Sequence, residues 1–276
     1  MLSQRSNHAP GKGKAERDPA GSPPLPCPMD APWPYPFWIA HRGAGHLAPE
    51  NTLVAMRAGQ ALGYSMAECD VTLSADGQPF LLHDATLDRT TSGQGLAMAQ
   101  PWALLQTLDA GAWHSPAHAG EPMPSLAALA AHARATDLKL NLELKPGPGD
   151  AVRCGRQVAE TVARWWGGDA SQPPLLSCFE ATALEAAAEA APQLPRALLF
   201  ESLPPDWLAQ ARALGCVAVV AHHAGLDARA IAAAHAAGLR MLAYTVNDAR
   251  EVQRLQTAGI DGLITDELGR WGSAAS

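Results

Sequence analysis

The sequence predicts an α/β protein, a (β/α)8 TIM-type barrel with a small cap inserted in its second βα connection. Three observations predict it. Eight short apolar runs recur between residues 38 and 265. Ala-rich segments with apolar residues at i, i+3 and i+4 alternate with them. The rhythm breaks once, after the second run, where a long irregular stretch intervenes. A doubly wound open sheet is the competing architecture, but no G-x-G-x-x-G follows the first run, and HRGAG is not that fingerprint.

Taken in order, residues 1–36 read as a Pro-rich tail ending in PCPMDAPWPYP, without the charged, apolar and cleavage regions of a secretory signal. Such a segment builds neither helix nor central strand, so a disordered, solvated extension is expected. The alternative is a short arm that docks Trp33 or Tyr35 on the domain at 37–270. Strands are expected at 38–42, 66–72, 138–144, 174–179, 196–200, 217–222, 240–246 and 262–265. Helices are expected at 52–62, 125–135, 151–166, 180–190, 205–214, 227–237 and 248–258, from their Ala, Leu, Glu and Arg content and their spacing.

Pro49 keeps the first helix from extending backward, Thr52 or Asn51 caps it, and Glu50 reads mainly as helix-start chemistry, with contact to the site as the lesser alternative. Gly63, Gly215, Gly238 and Gly259 stand just past four helices, where a left-handed cap is wanted. Asp76-Gly77 between two apolar runs signals a hairpin, so the second strand should turn back into a short antiparallel partner carrying His83. Residues 84–124 then form a stretch too long for an ordinary loop, placed after the carboxyl end of the second strand, where barrel active sites lie. That stretch is the expected cap.

Charge appears where strands end. WIAHRG ends with His41 and Arg42, MAECDVTLS carries Glu68 and Asp70, PFLLHD carries His83, and LKLNLELKP carries Glu143 and Lys145. Unpaired charges are costly inside apolar runs, so this recurrence points to chemistry. Glu68 and Asp70 are two apart in a strand and face one side, as are Glu143 and Lys145. Carboxylates crowded on one face repel unless a cation or a proton lies between them. Three carboxylates on converging strands suit one hard divalent cation, Mg2+ or Ca2+, better than zinc; a buried ion-pair network of Glu143 with Lys145 or Arg42 is the plain alternative. His41 and His83 are candidates for general acid and base, because imidazole titrates near neutrality. Arg42 and Lys145 suit phosphate oxygens, or rim salt bridges. Phe179 and Tyr244 end two further strands and would wall the substrate, or simply pack the barrel. His222 and His223 end another strand and carry a weaker claim to the pocket.

Composition sets the bounds. With 276 residues, 47% of them hydrophobic, one sizeable core is affordable. A net charge of -7 argues against nucleic acid or an anionic membrane surface as the main partner. No apolar run approaches the ~20 residues of a bilayer span, so stable membrane insertion is not expected. The five cysteines are odd in number and scattered, so a disulfide framework is not expected and the reducing cytoplasm is the default location. Oligomeric state is not read from the sequence.

These motifs together resemble the glycerophosphodiester phosphodiesterase family. They are HRG-x(5)-PENT at 41–52, E-x-D at 68–70, the DGQ-then-LLHD-x-TLDRTTSG run at 76–93, N-x-E-x-K at 141–145 and YTVN at 244–247. They run in order from about residue 37 to 268, and the short, uninterrupted form, with the APQLPRALLF stretch, is similar to the cytosolic bacterial type. The resemblance implies a barrel with a cap in the second βα loop. It also implies metal-dependent hydrolysis of small-molecule glycerophosphodiesters, such as glycerophosphocholine, to sn-glycerol 3-phosphate and an alcohol. Carried over position by position, His41 and His83 match the acid/base pair. Glu68, Asp70 and Glu143 match the metal ligands, and Arg42 and Lys145 match the phosphate contacts. The attacking group is water, or the glycerol 2-hydroxyl by way of a cyclic phosphate. Tyr244 departs from the Trp of many relatives. Two rival functions remain: a phosphodiesterase acting on lysophospholipids, and a non-catalytic barrel that only binds glycerol phosphates.

Overall fold

A computed structural model describes residues 33–166 and 173–271. The expectation of a disordered tail falls, over residues 1–32, outside the described residues. The strands are β1 (Trp38–Ala40), β2 (Met66–Leu73), β3 (Pro79–Leu81), β4 (Lys139–Leu144), β5 (Leu175–Cys178), β6 (Arg196–Phe200), β7 (Ala218–His222), β8 (Arg240–Tyr244) and β9 (Gly262–Thr265). Eight of them pair in parallel in the order β1-β9-β8-β7-β6-β5-β4-β2, and a β1–β2 pairing closes the ring. β3 adds to β2 as an antiparallel edge, with Val71 opposite Leu81, so the Asp-Gly hairpin forms where the sequence placed it. Every expected strand is present within two residues at each end, and the barrel is the predicted architecture.

The helices are α1 (Leu53–Ala61), α2 (Trp102–Leu105), α3 (Leu126–Thr136), α4 (Ala151–Trp166), α5 (Ala181–Ala190), α6 (Trp207–Ala213), α7 (Ala228–Ala236), α8 (Ala249–Thr257) and α9 (Leu268–Trp271). Their starts follow the capping chemistry: the Thr52 hydroxyl accepts from Ala55 N at 3.2 Å, Ser125 from Ala128 N at 3.1 Å, and Asp227 from Ala230 N at 2.8 Å. The four glycines expected past helix ends all hold positive φ, between 62° and 90°.

Two apolar layers build the core. One fills the space between strands and helices; the other lies inside the barrel. The inner layer takes alternate residues of the strands, such as Ile39, Met66, Leu175, Val220, Leu242 and Ile264. Tyr35 joins this layer at 6% exposure, and its hydroxyl donates to Pro173 O at 2.6 Å, with Trp33 edge-on against it. The two aromatic residues weighed as a docking arm therefore pack on the barrel. Close helix packing has its own requirement. A Cβ at Gly155 of α4 would stand 2.0 Å from the Ala183 carbonyl oxygen of α5. Gly155→Ala should therefore destabilise the fold by ~1–3 kcal/mol, through forced separation of the two helices. An unchanged denaturation midpoint would contradict that packing.

The cap, residues 84–124, contains α2 and two 3-10 turns, Ala97–Ala99 and Pro116–His118. Its Leu87, Ala97, Leu105, Ala110 and Met123 form one apolar cluster with Phe80 of β3 and Leu82 just past it. Asp109 ties its loops together, accepting backbone hydrogen bonds from Gly111, Ala112 and Gly120 at 2.8–2.9 Å. Glu121 accepts from Val54 N, fastening the cap to the start of α1 at 3.1 Å.

Candidate active site

The site follows from strand parity. Side chains two apart share a face, so the rows that fill the barrel interior continue to its carboxyl rim. Ile39 leads to His41, Met66 to Glu68 and Asp70, Leu175 to Phe179, Val220 to His222, Leu242 to Tyr244 and Ile264 to Asp266. β2 and β4 pair with Glu68 opposite Asn141 and Asp70 opposite Glu143, which sets the acidic residues side by side.

One ligand oxygen from each of Glu68, Asp70 and Glu143 lies within 4.8 Å of the others. Glu68 and Asp70 are buried, at 3% and 1% exposure, where three like charges are hard to maintain. Burial first, then the Asp70 charge, pushes the carboxyls of Glu68 and Glu143 above the ordinary carboxylate range. Glu68 Oε1 is buried with no hydrogen-bond partner among the described residues. An all-oxygen set, crowded, buried and incompletely partnered, fits a hard divalent cation. The ion-pair alternative is present as well, since Lys145 Nζ donates to Glu143 Oε1 at 2.8 Å and lies 3.7 Å from Asp70.

The turn between β1 and α1 supplies the supports. Residues His41–Gly43 form a 3-10 turn in which Arg42 adopts φ 50° and Gly43 φ 98°. This uncommon backbone aims Arg42 N–H at Glu68 Oε2, at 3.1 Å. Asn51, at φ 57°, brackets Asp70: its Nδ2 donates to Asp70 Oδ2 at 2.8 Å, and its Oδ1 accepts from Asp70 N at 3.0 Å. Glu50 is not mainly helix-start chemistry, because it accepts from Arg42 Nη1 at 2.7 Å while Thr52 alone caps α1. The sequence offered a signal for these two, since PENT lies within the motif that begins at His41.

Each histidine is held by a carboxylate. His41 Nδ1 donates to Asp266 Oδ1 at 2.6 Å, and its Nε2 lies 3.9 Å from Glu68 Oε2. Asn247 Nδ2 in turn donates to Asp266 Oδ2 at 2.9 Å. Asp266 was not singled out in the sequence, although it continues the inward row of β9. Burial works against charge on His41, but the Asp266 hydrogen bond and the Glu68 and Asp266 charges prevail and hold its pKa above 6.5. Past β3, Leu82 N donates to Asp70 O at 3.2 Å, which brings the next residue, His83, to the same rim. His83 Nδ1 donates to Asp84 Oδ1 at 2.8 Å. Burial lowers the His83 pKa below 6.5, and Asp70 and Asp84 offset this only in part.

Phe179 and Tyr244 meet edge to face at 6.0 Å, and Lys145 Nζ stands 6.0 Å from the Phe179 ring centre. His222 packs edge-on against Tyr244 at 5.7 Å, so it belongs to the same wall. A cavity of about 230 Å³ opens between this wall and the cap, lined by His83, Asp84, Met98, Glu143, Lys145 and Phe179 among others. All nine residues proposed from the sequence therefore gather at one end of the barrel.

The signature of the glycerophosphoryl diester phosphodiesterase family matches residues 41–270. YhdW of Bacillus subtilis, provisionally named a glycerophosphodiester phosphodiesterase, is 32% identical over 83% of this chain and 94% of its own length. The glycerophosphodiester phosphodiesterase of Caldanaerobacter subterraneus subsp. tengcongensis is 28% identical over 83% of this chain and 93% of its own. Among solved structures, a phosphodiesterase from Oleispira antarctica in complex with the product sn-glycerol-3-phosphate superposes with a TM-score of 0.79. It is 35% identical, over 84% of this chain and 93% of its own.

Proposed function

The chain belongs to the glycerophosphoryl diester phosphodiesterase family, and on that premise we propose that it hydrolyses glycerophosphodiesters to sn-glycerol 3-phosphate and an alcohol, with His83 as general base and His41 as general acid. The observation that carries the reading is the carboxylate trio of Glu68, Asp70 and Glu143, flanked by two histidines that each have their own carboxylate partner.

The protonation states divide the labour. With Nδ1–H committed to Asp84 and a lowered pKa, neutral His83 presents a free lone pair on Nε2. It takes the proton from the attacking hydroxyl, of water or of the glycerol 2-position. His41, with its raised pKa and Nδ1–H on Asp266, carries a proton on Nε2 and gives it to the departing alkoxide oxygen as the P–O bond breaks. Arg42 and Lys145 hold the non-bridging oxygens, exchanging part of their present carboxylate pairing for phosphate. Phe179 and Tyr244 flank the organic part of the substrate. One divalent cation, Mg2+ or Ca2+, held by Glu68, Asp70 and Glu143, would neutralise the diester charge and the further charge of the transition state. A cytoplasmic location belongs to the same reading and is supported by the buried free thiols of Cys69, Cys154, Cys178 and Cys216. Among the described residues no helix is long and apolar enough to cross a membrane.

The test is release of glycerol 3-phosphate from glycerophosphocholine and glycerophosphoethanolamine, and of choline from lysophosphatidylcholine, with and without chelator. Chelator should abolish release from the glycerophosphodiesters and either Mg2+ or Ca2+ should restore it. Binding without turnover under metal-replete conditions would sink the reading. Metal binding has a second signature. Because Glu68 and Glu143 titrate above their ordinary values, the metal-free fold is favoured at low pH and loses that margin as pH rises through the raised values. Added divalent ion should therefore raise Tm more at about pH 8 than at about pH 5.5, where protons compete for the same oxygens. An equal rise at both would contradict it.

A further inference from the structure

We propose that Arg89, from the cap, is the positioning residue that sets Arg42 and His83 at once. The inference rests on the acid/base reading above. One guanidinium bonds two carboxylates, each of which already holds a functional side chain. Arg89 Nη1 donates to Glu50 Oε2 at 2.7 Å and Nη2 to Glu50 Oε1 at 2.9 Å. Arg89 Nε donates to Asp84 Oδ2 at 2.6 Å, and Nη2 also reaches Asp84 Oδ1 at 3.0 Å. The oxygens are shared: Glu50 Oε1 also accepts from Arg42 Nη1, and Asp84 Oδ1 also accepts from His83 Nδ1. A chain of hydrogen bonds thus runs Arg42–Glu50–Arg89–Asp84–His83, from the β1 turn through the cap to the second residue past β3.

The chemistry explains why an arginine suits this place. A carboxylate free to rotate would not fix the imidazole, and a carboxylate pulled wholly toward Arg42 would compete with phosphate for it. The planar fork of Arg89 pins both carboxylates in orientation and draws charge density from each; a lysine, as a single point, cannot bond two carboxylates in this way. The Arg89 side chain is 43% exposed, so its ion pairs are screened and contribute little to stability. What it supplies is geometry. Its loop is itself rigid, since Thr91 N and Thr91 Oγ1 both donate to Leu87 O, and Leu87 N donates to Gly95 O at 2.9 Å.

The experiment uses the full chain, saturated with divalent ion, and steady-state hydrolysis of glycerophosphocholine. Arg89→Gln should lower kcat by ~10-fold or more and raise KM several-fold, with Tm little changed. Arg89→Lys should recover less than ~3-fold of that loss, because charge alone does not restore the fork. Added guanidinium ion should stimulate Arg89→Ala but not His83→Ala. In double mutants, Arg89→Gln should add little in kcat to Asp84→Asn and little in KM to Glu50→Gln. Arg156→Gln, which removes an exposed pair with Glu189 on the helical face, serves as the unaffected control. Kinetic constants of Arg89→Gln within ~2-fold of wild type, or full additivity with no guanidinium response, would overturn the inference while a dead His83→Ala leaves the acid/base reading standing. Normal turnover by His83→Ala would overturn both. Should Arg89→Gln lower Tm markedly, guanidinium rescue of Arg89→Ala decides.

Discussion

Glu68→Gln should lower turnover by ~10²-fold or more while leaving the metal-free protein as stable as wild type at neutral pH, or more so. The two effects share a cause. Glu68 is buried among like charges, and burial and Asp70 raise its pKa, so its ionised form is a cost in the metal-free fold. The amide keeps the shape, still accepts from Arg42 N–H, and removes the charge. It also removes one of the three negative charges of the cation site. The Tm rise on adding divalent ion should therefore shrink along with the rate. Near-normal turnover in this variant, or an undiminished metal-induced Tm shift, would count directly against the carboxylate trio as the metal site. Glu68→Ala should lose activity to a similar extent, with stability depressed by the cavity it leaves.

The histidine pair predicts a bell-shaped dependence of kcat/KM on pH, and variants that each erase one side of it. His83 must be neutral to accept a proton, so activity falls on the acidic side as it becomes protonated, below its ordinary pKa of 6.5. His41 must carry a proton, so activity falls on the alkaline side as it deprotonates, above 6.5. His83→Ala and His41→Ala should each cost ~10²-fold or more, the first removing the acid limb and the second the alkaline limb. Asp266→Asn should act in the same direction as His41→Ala but by less. It removes the charge that keeps His41 protonated, so the alkaline limb moves to lower pH. An alkaline limb that stays put in Asp266→Asn, or that persists in His41→Ala, would reverse the assignment of acid and base.

Much of this site could be read along the chain because its residues break the pattern of the elements that carry them. A charged residue in an apolar run is conspicuous, and the period of two fixes which neighbours share its face. That is why spacing alone pairs Glu68 with Asp70, and Glu143 with Lys145, and why the Asp-Gly turn leads to His83. Asn51 and Glu50 were harder. Polar residues before a helix have an ordinary explanation as capping residues, and only their place in the motif that begins at His41 separates a cap from an arm reaching a buried carboxylate 19 residues away. Arg89 lies within the TLDRTTSG run, but spacing gives it no role until both of its carboxylate partners are known.

The amino-acid order determined the strand positions, those of seven of the nine described helices (not the short α2 and α9), the hairpin, the cap's place and the nine candidate side chains. All of these depend on propensity and periodicity, which act over a few residues. Ring closure decided the partnerships. His41 and Asp266 are 225 residues apart, yet β1 pairs with β9 so that Ala40 lies opposite Thr265, and the next residue on each strand brings imidazole to carboxylate. The register of these two residues, each just past its strand's end, is set by how the first and last strands of the barrel meet, a long-range contact for which no short stretch of chain carries a signal.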